Sequence, residues 1–439
     1  QLQLNQNYES RNLVNYYYIL IKYFKKMVLN KVLSWKDLEK LATEEGDRVN
    51  GLNNSYTNLR LFNKNKTDAK LIFYRDRHAW CPYCQKIWLW LEFKKIPYKI
   101  EKINMYCYGE KEKWYLNKVI SGKLPAIELN GQIITESDNI IDFLEKEYGA
   151  LGSSIYSNKL AKTRKIERNI FRSWCDWLCR SNFFNFENNL KKNNMIKNLE
   201  ELEKLLSQSS SGFIDPVNIT PNKLQPGTGD IIFIPYIERI NASLFYYKGY
   251  KLRKEFPLIN KWLTLLESEN EYTGSQGDFH THSHDLPPQM GGCFKDINEA
   301  QKNFSRLIDS GEGAGNLEIN KEFDSNYYKK IALARVIKHK NNIININPCE
   351  NNSFDFALRS ALTYLISNEL NKPDNNSGIG LRYLRDRISV PRDMPLISAR
   401  LLRKSLEKVA CICNPSDIYK IPIKHRYDQN PNDFILSEN

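Results

Sequence analysis

A chain of 439 residues with 41% hydrophobic and 12% aromatic side chains is long enough for two or three globular domains. Its formal net charge of +13 is spread over an Asn- and Lys-rich background, which gives no nucleic-acid-binding pattern and leaves a preference for anionic small molecules. No apolar run approaches the ~20 residues that a membrane span needs, and nine cysteines at irregular spacing do not form a secreted disulfide framework, so an integral membrane protein is excluded and a reducing compartment is expected.

Residues 1–26 precede Met27 and read as part of a targeting segment or as upstream sequence, although they lack the Arg- and Ser-rich composition of a transit peptide. The first strong element is the apolar strand Leu71-Ile72-Phe73-Tyr74, followed at once by Cys81-Pro82-Tyr83-Cys84 and a helix reaching about Phe93. A thiol exposed at a helix start meets backbone N–H groups and the positive end of the dipole, which favour its thiolate; Cys81 is therefore the expected nucleophile. Cys84 lies one turn deeper and is expected to have the higher pKa.

Ile96-Pro97 breaks the helix, and Tyr98 to Asn104 alternates as a strand does, which completes a βαβ unit. Ala126–Leu129 and Gln132–Thr135 flank Asn130-Gly131, the strongest two-residue turn signal, and predict a hairpin. A helix is expected from Ser137 to Gly149, buried through Ile140, Ile141, Phe143 and Leu144.

Four local features, namely Cys81-Pro82-Tyr83-Cys84, Ser121-Gly122-Lys123-Leu124-Pro125, the Asn-Gly hairpin and Glu136-Ser137 at a helix start, together resemble the thioredoxin-like domain of glutathione transferases. The resemblance implies a fold class of an α/β thioredoxin-like domain followed by an all-α transferase C-terminal domain, here with an additional mostly helical module. It implies glutathione as the cofactor. Leu124 would offer its backbone to the cysteinyl part ahead of a cis Pro125, Glu136 and Ser137 would receive the γ-glutamyl group, and Lys111 would contact the glycyl carboxylate. The partners expected are glutathione and an electrophilic or disulfide acceptor, with a homodimer or a larger assembly beyond that, in plastid or cytoplasm. Omega, lambda and dehydroascorbate-reductase-type transferases carry Ala or Ser where Cys84 stands. That departure favours glutaredoxin-like exchange over conjugation and leaves one-thiol and two-thiol routes open.

The resemblance extends from about Trp35 through Cys293 and into Leu381–Met394, and is to algal and plant-plastid transferase-like proteins. The domains expected are an N-terminal extension (1–68), the thioredoxin-like glutathione-binding domain (69–150), the helical transferase domain (158–293) and an additional helical domain (294–439).

In the second domain Ile166, Ile170, Trp174, Trp177 and Leu178 mark a helix, 188–198 reads as a polar surface excursion, and Asp230 is expected to cap a buried helix. Trp174, Tyr236, Phe245 and Tyr246 are candidates for an acceptor pocket, against the alternative of plain core. His280, His282 and His284 with Asp285 or Cys293 could form a metal site; an ordered interdomain loop with locally bonded histidines is preferred, and no metal is expected. Further on, helices are expected at about 295–309, 325–338, 353–370 and 396–411. Arg382, Arg385, Arg387 and Arg392, alternating with Asp386 and Asp393, suggest internal salt bridges or an interface, and Cys411 and Cys413 helix-terminal thiols. The rival to a glutathione-dependent thiol transferase or reductase is a non-catalytic scaffold, for which the long extension and the added module argue.

Overall fold

The computed structural model describes residues 32–43, 46–181 and 185–413. The expected targeting segment lies outside the described residues.

The first unit is a five-stranded sheet in the order β1-β3-β2-β4-β5, built from β1 (Leu59–Arg60), β2 (Leu71–Asp76), β3 (Tyr98–Ile103), β4 (Ala126–Leu129) and β5 (Gln132–Thr135). β2 and β3 run parallel and pair Leu71 with Tyr98 through Asp76 with Ile103. The remaining neighbours are antiparallel. The crossover between β2 and β3 is the helix α2 (Pro82–Lys94), preceded in the chain by the short α1 (Trp35–Leu41).

α2 is apolar nearly all round, and every residue from Cys84 to Phe93 is buried, because it lies between the sheet and the helical unit that follows. Its polar residues survive burial only through partners. Glu92 takes the guanidinium of Arg60 at 2.8 Å and the hydroxyl of Tyr98 at 2.6 Å, and Lys86 pairs with Asp138 at 2.5 Å. Proline at the first helical position presets φ there, and Lys95 in the left-handed region ends the helix. The β4–β5 hairpin turns at Asn130 (φ 52°) and Gly131 (φ 80°), the two positive values that a type I′ turn requires. A short helix α3 (Lys113–Lys118) and the predicted α4 (Ser137–Tyr148) complete this unit.

The second unit holds α5 (Asn158–Cys179) and α6 (Asn185–Ser207), then a small hairpin of β6 (Pro216–Thr220) and β7 (Lys223–Pro226) that adds a β element to an otherwise helical region. α7 (Thr228–Ile231), α8 (Ile234–Ser243), α9 (Pro257–Leu266) and α10 (Phe279–Met290) follow. The polar excursion expected at 188–198 is instead the middle of α6, where Met195, Leu199 and Leu202 face the core. Asp230 acts as the buried cap: it accepts from the backbone N–H of Ile214, Asp215 and Gly227 and from the Trp262 indole. Burial nevertheless pushes its carboxyl up to about 6.

One hydrophobic core runs from Leu71 to Ile308 and so takes in α11 (Glu299–Asp309), whose Phe304 stacks on Phe245 at 4.3 Å. A separate core combines Leu38 of α1 with residues 319–413, in α12 (Ser325–Lys338), α13 (Asn351–Ser367), α14 (Gly378–Arg387) and α15 (Leu396–Cys413). Packing thus joins α11 to the second unit and α1 to the C-terminal one. α14 was not expected as a helix. Its Arg382 and Arg385 are buried against Glu407 of α15, a partner no local pattern announces. Between the two cores Arg403 forms a buried ion pair with Asp278, and Arg400 one with Glu318.

Candidate active site

Cys81 is the residue that starts α2: its carbonyl accepts from the Gln85 N–H at 3.0 Å and Pro82 occupies the first turn. The expectation of an exposed thiol is corrected, since Cys81 is only 7% accessible. The cause lies in its neighbours. Trp80 is fully buried, and the loop after β3 closes on it through Tyr108, which sits edge-on to the Trp80 ring at 5.0 Å and donates its hydroxyl to the Asp285 carbonyl at 2.7 Å. Arg239 holds the Trp80 carbonyl at 2.7 Å from the opposite side. Cys84 is more enclosed at 1%. Burial, and then its hydrogen bond with Cys81, pushes its thiol well above the ordinary range.

Beneath the two thiols lies Asp76, the last residue of β2, with no accessible surface. One carboxylate oxygen accepts from the Trp80 N–H at 2.7 Å and the other has no hydrogen-bond partner. A carboxylate oxygen of Asp76 and the sulfurs of Cys81 and Cys84 lie within 4.8 Å of one another, the one place among the described residues where three such ligand-type atoms converge. Sequence reasoning missed this residue as a participant. The signal present was an acidic side chain ending an apolar strand directly before a Cys-x-x-Cys.

The loop of residues 121–125 is held from behind. Lys111 donates to the Gly122 carbonyl and Tyr115 to that of Lys123 at 2.6 Å, and the Leu124–Pro125 bond is cis. Lys111 therefore faces the loop, with its ammonium 4.9 Å from the Tyr106 ring, and burial lowers its pKa. Glu136 sits at the head of α4 in the left-handed region (φ 65°), with its carboxylate paired to Lys123 at 2.7 Å on the surface. Ser137, 7% accessible, opens the helix, while Asp138 turns inward to Lys86 and to Arg164 at 3.1 Å.

Of the four pocket candidates only Tyr236 borders this region. It stands edge-on to Tyr83 at 6.1 Å and to Phe171 at 5.2 Å, with the Arg168 guanidinium 5.1 Å from its ring. Trp174 is used up in a bond to Ser243, Phe245 in the stack on Phe304, and Tyr246 in a bond to Asp309. The histidine segment is α10, a buried helix and not a loop, and two of its histidines meet partners on other elements. His282 bonds Glu238 at 2.8 Å and His284 bonds Asp309 at 3.0 Å.

A parallel βαβ crossover with a cysteine at its helix start, followed by an antiparallel hairpin and a second helix, defines a thioredoxin-like thiol domain coupled to a helical unit. Residues 80–147 match the family described as glutathione S-transferase, N-terminal domain. Glutathione S-transferase DHAR2 of Arabidopsis thaliana is 24% identical over 196 residues, covering 45% of this chain and 84% of that protein. Glutathione S-transferase L3 of the same plant is 26% identical over 201 residues, covering 45% and 79%. Among solved structures, dehydroascorbate reductase of Chlamydomonas reinhardtii aligns at a TM-score of 0.38 and 22% identity, over 47% of this chain and 91% of that one. Over residues 80–147 the chain is thus similar to the glutathione S-transferase N-terminal domain.

Proposed function

We propose that the protein is a glutathione-dependent thiol transferase or reductase working through a mixed disulfide between Cys81 and glutathione. The observation that carries this reading is the asymmetry of the thiol pair: Cys81 caps the start of a 13-residue helix and keeps a small opening, whereas Cys84 is sealed behind it over a carboxylate. Burial holds Cys84 protonated, while Cys81 stands at the helix start in front of it.

In the reaction proposed, the Cys81 thiolate attacks the glutathionyl sulfur of an acceptor mixed disulfide. The acceptor S–S bond breaks and the acceptor leaves as a thiol after taking a proton. A second glutathione thiolate then attacks the Cys81-bound sulfur, releases glutathione disulfide and restores Cys81. Cys84 offers the other exit: once its proton has gone to the Asp76 carboxylate, which has an oxygen within 4.8 Å of both sulfurs, it attacks the Cys81 sulfur, the bond from Cys81 to glutathione breaks, and a glutathione thiolate leaves. Glutathione would lie beside the 121–125 loop, with Leu124 and Pro125 along its cysteinyl part and Glu136 and Ser137 at its γ-glutamyl end. Lys111 is given a positioning role, since it secures the loop through Gly122. The names of the relatives support dehydroascorbate-type reduction as one acceptor chemistry.

The test is turnover of a small glutathione mixed disulfide together with retention on immobilised glutathione. Cys81→Ser should lose on the order of a thousandfold in rate, the scale expected on removing a nucleophile, while Cys84→Ser keeps a substantial part. Equal losses in both variants contradict the one-thiol exit. A wild-type chain that neither binds the resin nor turns over supports the scaffold reading, which the separate C-terminal core favours.

A further inference from the structure

A second pair of thiols lies outside the Cys81–Cys84 pair. Cys179 is the last residue of α5, and Cys293 follows α10. The Phe294 N–H donates to the Leu178 carbonyl at 2.9 Å, which sets the residues beside each of them, 179 and 293, opposite one another. Both thiols are partly accessible, and the Met290 sulfur lies 4.0 Å from that of Cys179. The Lys248 ammonium, with a wholly buried side chain, stands beside the Trp177 ring at 5.8 Å and pairs with Asp296 at 2.9 Å, three residues beyond Cys293. Ahead of Cys293, Gly291 (φ 77°) and Gly292 (φ 138°) adopt backbone that glycine allows, with no atom within 4 Å of where a Cβ would stand.

From this geometry we propose that Cys179 and Cys293 are a second redox site, a dithiol that a low-molecular-weight disulfide such as glutathione disulfide converts to an intramolecular disulfide. Cys179 is the attacking thiol: its hydrogen bond with Cys293 lowers its pKa and the Lys248 charge adds to that, while the same contact and burial raise Cys293. The Cys179 thiolate attacks one sulfur of glutathione disulfide, the S–S bond breaks, and a glutathione thiolate departs. Cys293 then yields its proton to that thiolate and attacks the Cys179 sulfur, expelling a second glutathione. Two protein thiols are oxidised to one disulfide, and one disulfide is reduced to two glutathiones. The product ties the end of α5 to the segment that leads through α11 to the C-terminal core.

The site uses neither Cys81 nor Cys84, so the full-length Cys81→Ser/Cys84→Ser variant, with the wild type alongside it, is exposed to glutathione disulfide and mapped by non-reducing peptide mass spectrometry. The expected result is the loss of two free thiols with a Cys179–Cys293 linked peptide, reversed by excess glutathione. Cys293→Ser should trap glutathione on Cys179, and Cys179→Ser should leave Cys293 unmodified. In the reduced wild type, Cys179 should alkylate about tenfold faster than Cys293. The proposal is overturned if both thiols remain free when exposed Cys411 has been glutathionylated, if each carries its own stable adduct, or if the adduct in Cys179→Ser accumulates on Cys293.

Discussion

The two thiol pairs stand at opposite ends of helices and are built by opposite means. Cys81 and Cys84 belong to one turn of α2, so the chain itself makes them neighbours, and the helix start, burial and a carboxylate then set them apart. Cys179 and Cys293 come from the far end of α5 and from the segment after α10; no helix start serves them, and a buried lysine supplies the positive charge instead. The contrast teaches that positive charge and burial around a dithiol come from sequence-local structure in one pair and from tertiary structure in the other.

The proposed glutathione groove belongs to the first pair alone, and that is the sharpest way to separate them. Ser137→Ala removes a hydroxyl at the head of α4. It should weaken glutathione binding to the Cys84→Ser chain on the order of tenfold, as the loss of one charge-assisted hydrogen bond does, measured by calorimetry. Formation of the Cys179–Cys293 disulfide should be unchanged in the same variant; parallel loss at both sites would merge the two pairs into one system.

What was legible in the sequence was the local part. Pro82 after Cys81, Asn130-Gly131 between alternating strands, and Ser137 before an amphipathic run each encode their structure within a few residues, and the β2–α2–β3 unit and hairpin follow where they were expected. What was illegible depended on partners distant in the chain. Arg382 and Arg385 read as internal salt bridges or an interface, but that their partner is Glu407 required the fold, as did the meeting of His282 with Glu238, of His284 with Asp309, and of Tyr108 with Trp80 beside Cys81. Asn-rich α6 hid its inward Met195, Leu199 and Leu202 behind its polar face. Asp76 was visible as a residue, but its proximity to both sulfurs required the fold.

Asp76 offers the next test, because its charge is one of the influences that raise the Cys84 thiol. In a Cys81→Ser background, Asp76→Asn should lower the Cys84 pKa by roughly half a unit, which below that pKa is about a threefold faster alkylation at fixed pH. The gain should disappear at pH values above the Cys84 pKa, where the thiol is ionised in both proteins. Cys179 alkylation should be identical with and without the substitution. An unchanged Cys84 rate would place the Asp76 charge outside the thiol chemistry.

The smallest effect belongs to Lys248, whose contribution to Cys179 ranks below that of the Cys293 hydrogen bond. Lys248→Met keeps the apolar stem against Trp177 while removing the ammonium, so the Cys179 pKa should rise and its alkylation near pH 7.5 should slow by about twofold. The sign matters more than the size. With the cation gone, Cys179 binds its proton more tightly, so the deficit is full below its pKa and vanishes above it, the mirror image of Asp76→Asn at Cys84. Asp296 loses its buried partner in the same step but keeps the Asn188 amide at 2.9 Å. Any general loosening of this corner would speed alkylation of both Cys179 and Cys293, whereas the electrostatic account requires Cys179 to slow.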